Sequence, residues 1–477
     1  MHEAVAGTAR QDITPDWPVM LSGFGQRTVP AVSVHDPIFA KALYLANGTE
    51  RVLIITTDLL SIPGSLGDAV ISGVGAATGL QARQICVCAS HTHSAPVPVY
   101  ANDGAEGIAR YDAFLRAALV RVGIAAVADA RPCRVRTGVG QADIFFNRRT
   151  RGNPNRVDRR VAVLAAEDAA SGRPIAVLFG AGCHPVVMGW DNMAISADFT
   201  GHAQAAIERA LGCGNALFFN TAQGNIVPIT SPLFDALDPR GYCGGNDATA
   251  ERLGAILAEE VLRVAHASTP APKLHLAAHR TDLLVLPRFA DMPVERVSAE
   301  LQRAEADIGH YLGADFRQRF PARHLWSEAS KCVIERQMAE PDMRRLMIAC
   351  CYFRAFALRL KAAETATTQD VGVPMPVQLL AINDFTLLAL PGEVLVESGE
   401  AWSAKVGTET AFVIALANGH HRYLPGTVHF AEPNARNRYE TASAGLVEDA
   451  MDRAYAAAGA MLDEVNRRRV EPAHSDR

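Results

Sequence analysis

The chain has 477 residues, 49% of them apolar and 20% charged, with a formal net charge of −5. That length suits one large elaborated domain, or two to three average ones, around a sizeable core. The acidic balance, with no clustering of Lys and Arg, excludes a nucleic-acid groove.

The first half alternates strand-like runs with amphipathic helices. Residues 51–60 (RVLIITTDLL) and 83–89 (RQICVCA) are short, β-branched and nearly continuous in apolar character, as suits strands buried on both faces. Residues 111–130 repeat apolar positions at helical spacing. Two more strands, 161–165 and 175–179, flank the turn Ala170–Pro174. Residues 196–211 read as a helix with Phe199, Ala203, Ile207 and Leu211 on one face and Gly212 as its stop signal. This alternation predicts an α/β fold. The pattern then becomes helical only, and 288–368 reads as an insertion. Strands return at 377–381, 386–390 and 411–416, before a last helix over 445–468. The expected organisation is a single α/β catalytic domain over 1–477. It has a large mixed sheet, flanking helices, the helical insertion at 288–368 and a polar tail at 469–477.

Nine scattered cysteines, an odd number, fit reduced and mostly buried thiols better than a disulfide framework. Met1 to Pro18 carries no apolar stretch of the kind a secretory signal needs, so the expected location is cytoplasmic. No apolar run reaches the ~20 residues of a transmembrane helix.

Residues with metal or proton chemistry fall just beyond strand ends: His91 and His93 in Ser90-His91-Thr92-His93, His184 before Pro185, Glu393 after Pro391-Gly392, and Tyr423 in His420-His421-Arg422-Tyr423. In open α/β sheets ligands gather beyond the carboxyl ends of the strands, so these four loops can converge. Two histidines and a carboxylate with one open position make a catalytic rather than a structural zinc. Taken singly, each has an ordinary alternative. His-x-His is commonly unligated, His184 can bond its own loop, Glu393 can be a solvated turn carboxylate, and Tyr423 a half-buried aromatic.

Several motifs in order resemble the neutral/alkaline ceramidase family. They are Ala6-Gly7-Thr8-Ala9-Arg10-Gln11-Asp12-Ile13-Thr14-Pro15, Leu21-Ser22-Gly23-Phe24-Gly25, Ser90 to Pro96, His184 to Met188, Ser196-Ala197-Asp198, Phe219 to Pro228, Pro391-Gly392-Glu393, and Asn418 with Tyr423. The resemblance implies Zn2+ held by His91, His184, Glu393 and Tyr423, with His93 and Arg148 lining the substrate site. Asp198 is assigned a further catalytic role, orienting a ligand imidazole or assisting proton transfer; its alternative is a carboxylate at a helix N-terminus. The alternative for Arg148, within the basic run Arg148, Arg149 and Arg151, is a solvated charge. Two features depart from the family. Its ceramidases carry a C-terminal immunoglobulin-like domain, and the segment after Pro228 is longer in them than the serine-free Asp238–Asp247 stretch here.

These departures support the metal more than the lipid. The expectation is a zinc-dependent amidohydrolase that uses metal-activated water on an N-acyl bond of a small or medium soluble substrate. An ester or lactone hydrolase, a true ceramidase and a non-catalytic zinc-binding protein remain as alternatives. Homo-oligomerisation is left open.

Overall fold

The computed structural model describes residues 4–96, 106–150, 155–212, 214–230, 236–240, 245–320, 324–365 and 372–470. A mixed eight-stranded sheet runs in the order Asn215–Asn220, Pro174–Ala181, Arg160–Asp168, Arg131–Gln141, Val5–Asp12, Phe39–Ala46, Arg51–Thr57, Ile85–Ala89. The joint between its halves is two residue pairs wide, Val5 with Pro132 and Ala6 with Arg131. The halves share one core, in which Leu43, Val52, Ile54 and Cys88 pack with Leu164, Leu178, Leu217 and Phe219. A four-stranded sheet of Leu276–Val285, Val373–Ile382, Phe385–Ala389 and Ala411–Ile414 adds Leu380, Phe385, Leu387 and Phe412 to that core.

Within these sheets, three pairs of neighbouring strands are parallel. They are Arg51–Thr57 with Ile85–Ala89, Pro174–Ala181 with Asn215–Asn220, and Phe385–Ala389 with Ala411–Ile414. Parallel neighbours need a crossover, which helices Gly64–Thr78, Asp198–Leu211 and Val396–Val406 supply. The apolar runs 51–60 and 83–89, read as doubly buried strands, form the first of these units; Ile85–Ala89 is buried at every position, as is Phe385–Ala389 in the third. Gly212, expected as a stop, closes its helix in the left-handed conformation at φ 64°. The loops after the three pairs meet. The Asn220 side chain donates to the Ser90 carbonyl at 2.8 Å, and the Asn418 amide donates to the Val87 carbonyl at 2.8 Å.

The helical region comprises Val294–Leu312, Phe316–Arg319, Leu325–Glu335 and Glu340–Thr365. It has its own core, built on Ile308, Phe316, Val333, Leu346 and Met347 and joined by Leu237 and Ala442 from outside.

The strands Val5–Asp12, Phe39–Ala46, Arg131–Gln141, Leu276–Val285 and Asn215–Asn220 were not legible as such. All but the last carry charge. Lys41, for example, sits in the core because Glu208 and the Ala216 carbonyl take its ammonium at 2.7 and 2.9 Å. The strand expected from residue 83 begins at Ile85, after a 3-10 turn over Ala82–Gln84. The last helix runs Ala450–Val470, so the expected tail starts inside it, and 471–477 lie outside the described residues. The seven described cysteines are buried and unbridged. Among the described residues no helix is long and apolar enough to cross a membrane.

Candidate metal centre

His91 leaves the strand Ile85–Ala89 with φ 74°, a left-handed conformation unusual for a residue with a Cβ. Backbone bonds hold it there. The Ser90 and His91 amides donate to Thr57 and Leu59 at 2.8 and 2.9 Å, and the His91 ring bonds the Leu60 carbonyl through Nδ1 at 2.7 Å. His184 follows Pro174–Ala181, with its Nδ1 2.9 Å from the carbonyls of both Gln223 and Ile226. Glu393 and Tyr423 are register partners in a short parallel bridge, which places two loops of the third crossover unit side by side. His93 packs its ring edge to face with Phe24 at 4.8 Å. A Cβ at Gly23 would lie 2.4 Å from its Cγ, so this approach requires glycine there.

Carbonyl oxygens only accept, so Nδ1 of His91 and His184 must carry the proton and Nε2 is left with a lone pair. Both Nε2 atoms face Glu393 Oε2, at 3.4 Å from His91 and 3.2 Å from His184. Tyr423 Oη is 3.5 Å from His184 Nε2, and His93 Nε2 is 3.3 Å from His91 Nε2. Lone pairs and a carboxylate aimed at one another repel unless a cation lies among them. The spacing fits one. With metal–ligand bonds of about 2.0–2.1 Å, the edge of a tetrahedral zinc site is about 3.3 Å. The donor atoms of His91, His93 and His184 lie within 4.8 Å of one another, a cluster able to hold a metal ion.

Charge and burial are balanced around this cluster. Burial pushes the Glu393 carboxyl up, but positive charge and hydrogen bonds from the His91 and His184 rings, when a proton rather than a metal ion lies among them, outweigh it and hold the group well below the usual range. Burial, with His91 and His184 beside it, drives His93 well down and keeps it neutral. His184 is lowered to about 4, first by burial. His420 is also close, since its pKa, lowered to about 3 chiefly by burial, feels both Glu393 and His91. Its neighbour His421 bonds the Pro374 carbonyl at 2.8 Å.

Arg148 is not a solvated charge. It is buried, donating to the Tyr423 phenol oxygen at 2.9 Å, the Gly224 carbonyl at 3.0 Å and Glu440 at 3.1 Å. Arg149 bonds the other oxygen of Glu440 at 3.0 Å, while Arg151 lies outside the described residues. Asp198 stands apart from the imidazoles. Its carboxylate accepts from the amides of Met188 and Phe199 at 3.0 and 2.7 Å at the start of its helix. The expected orientation of ligand imidazoles falls instead to the carbonyls of Leu60, Gln223 and Ile226.

Sequence reasoning assigned no role to Asn220 or Glu440. Asn220 is fully buried; it accepts from the Cys183 amide at 3.0 Å and donates to the Cys183 and Ser90 carbonyls at 2.9 and 2.8 Å. It therefore ties together the residues immediately before His184 and His91. The stretch Phe219–Pro228 was visible as a motif, but its geometry was not. Glu440 is 292 positions from Arg148, beyond any local signal.

No family model matches the chain. Among solved structures it is similar to the neutral ceramidase from Pseudomonas aeruginosa, with TM-score 0.65 and 18% identity over 100% of this chain and 76% of that one. It is similar also to a ceramidase complexed with C2, with TM-score 0.68 and 17% identity over 100% of this chain and 77% of that one. At these identities the likeness is one of fold, and it extends over the whole of the present chain.

Proposed function

We propose that the protein is a zinc-dependent hydrolase that cleaves an amide (N-acyl) bond of a soluble, cytoplasmic substrate, with His91, His184, Glu393 and Tyr423 holding the metal. The observation that carries this is the single oxygen of Glu393, within 3.4 Å of two histidine lone pairs that backbone carbonyls have oriented. His93 approaches His91 alone at this range. Its ring is 5.8 Å from that of His184, against 4.8 Å for the His91 ring, which supports a substrate-facing place rather than ligation. When bound, zinc supplies Lewis acidity and a water acidic enough to ionise near pH ~7.

The chain's own residues do the rest. His93, held neutral, accepts a proton at Nε2 and returns it to the leaving amine. Arg148 fixes the Tyr423 phenol and offers a buried positive charge to the carbonyl oxygen as it becomes anionic. Phe24 covers His93 and restricts water at that face. The solved structures of like fold are ceramidases, which supports the amide over the ester or lactone reading.

The test joins metal analysis to turnover. Purified protein should hold about one zinc per chain. It should lose activity to a chelator, regain it with zinc, and hydrolyse N-acyl amino acids or amines in preference to matched esters and lactones. Active enzyme without zinc, or a consistent preference for esters, would overturn the proposal.

A further inference from the structure

We infer that Arg27 is a positioning residue: it fixes the His93 ring at the metal centre by tying the turn 21–27 to the loop that follows His184. The inference rests on the hydrolase reading above, in which His93 moves the proton.

Arg27 is 8% exposed, and its guanidinium donates to backbone carbonyls from three separate segments. Nη1 donates to Ser22 at 3.0 Å and also to His93, Nη2 to Gly189 at 2.6 Å, and Nε to Trp190 at 3.1 Å. The turn, the His-Thr-His stretch and the loop after His184 therefore meet at one side chain. That loop is anchored at both ends of this contact. The His93 amide donates to the Pro185 carbonyl at 3.2 Å, and the Met188 amide donates to the Asp198 carboxylate at 3.0 Å.

What Arg27 holds is also what encloses the His93 ring. The Ser22 carbonyl belongs to the peptide leading into Gly23, whose backbone lies directly against that ring. The guanidinium carbon sits 4.9 Å from the centre of the Phe24 ring, within the range of a cation–π contact, and Phe24 meets His93 edge to face at 4.8 Å. For His93 Nε2 to leave its place 3.3 Å from His91 Nε2, Gly23 or Phe24 must move, and Arg27 restrains both. The residue type matters. Carbonyls in several directions suit the planar fork of five N–H donors on arginine, whereas lysine offers three donors from one atom on a flexible stem. Bonds from a charged donor are about twice as strong as neutral ones.

A proton-transferring group misplaced by about 1 Å costs roughly 10²-fold in rate. Because Arg27 acts through His93, that loss should fall on kcat and spare both KM and the metal.

The experiment compares zinc-loaded wild type, Arg27→Met and Arg27→Lys. With N-hexanoylglycine as substrate, kcat of Arg27→Met should fall roughly 10²-fold, with KM and zinc content close to wild type. Arg27→Lys should recover part of the loss. A second readout needs no turnover: labelling of imidazoles by diethyl pyrocarbonate, followed by peptide mass spectrometry. His91 and His184, with Nδ1 protonated and Nε2 on zinc, serve as unreactive references. His93 should be labelled several-fold faster in Arg27→Met than in wild type, with Arg27→Lys between them. Should Arg27→Met not fold, Arg27→Lys carries the same expectations at smaller size. Unchanged labelling of His93, zinc lost in parallel with activity, or a raised KM at unchanged kcat would overturn the inference. Faster labelling of His93 in the variants, with no hydrolysis of any N-acyl compound by wild type, overturns only the hydrolase.

Discussion

The buried pair Arg148–Glu440 makes a quantitative demand on stability as well as on rate. Arg148→Met removes bonds of 2.9, 3.0 and 3.1 Å to Tyr423, Gly224 and Glu440, all in buried surroundings. Breaking one side of a buried ion pair costs roughly 3–5 kcal/mol. Glu440 keeps Arg149 at 3.0 Å, so the expected loss is at the lower end, about 3 kcal/mol. Urea unfolding of Arg148→Met, Glu440→Gln and the double variant measures it. The double variant should be less destabilised than the sum of the singles, with a coupling on the order of 1–3 kcal/mol. Additivity within about 0.5 kcal/mol would refute the pairing. Under conditions where Arg148→Met is folded, kcat/KM should fall roughly 10²–10³-fold with zinc retained. Zinc lost in proportion to activity would mean that Arg148 acts only by holding Tyr423.

Other consequences follow from the same geometry. His91→Ala, His184→Ala and Glu393→Gln should each lose most of the metal while His93→Ala keeps it and loses rate; plasma mass spectrometry of the four variants checks this, and the reverse pattern for His91 and His93 would exchange their roles. Asn220→Ala should weaken zinc affinity roughly 10–100-fold without touching a ligand, as competition with a chelator would show. Burial raises Asp58 from 3.8 to about 6. The folded state therefore holds its proton more tightly, so its contribution is full below about pH 4 and is lost as pH rises through about 6, a swing of roughly 3 kcal/mol. Asp58→Asn should accordingly gain stability relative to wild type between about pH 4 and pH 6 in urea titrations, and an unchanged difference would refute it. Long-chain ceramide should be a poor substrate beside N-acyl amino acids; a much higher kcat/KM on ceramide would contradict the soluble-substrate reading.

Five of the six strands in the three crossover units were readable, because they are apolar almost without interruption and buried at nearly every position; Asn215–Asn220, bounded by asparagines, was not. Strands with one face toward charge were hidden. Arg131–Gln141 alternates inward Cys133 and Val135 with outward Arg134 and Arg136, and its identity depends on pairing with Arg160–Asp168. The donors were legible for a related reason: His91, His184, Glu393 and Tyr423 all sit directly after readable strands. Their supports were not. The Leu60, Gln223 and Ile226 carbonyls that orient the imidazoles carry no side-chain signature, and the burial of Arg148 depends on a glutamate 292 residues away.

Backbone conformation shows how firmly the centre is built before any metal binds. Of the described residues with a side chain and positive φ, His91, Leu416, Asn418 and Arg422 belong to the loops around it, and Asp198 opens the helix Asp198–Leu211. Such conformations cost roughly 1–3 kcal/mol each when the surroundings do not favour them, less for asparagine. Buried amides and backbone bonds hold them in place. Asn418 accepts from Val87 at 2.9 Å and donates to Gln378 at 2.7 Å, while the Asp198 carboxylate caps Met188 and Phe199. The mutually repelling donors of His91, His184 and Glu393 are thus kept together by the three crossover units, whose cores are apolar and extensive. Metal affinity then draws on a geometry already fixed by folding, which is why the residues that fix it, Asn220 above all, matter to the site as much as the ligands.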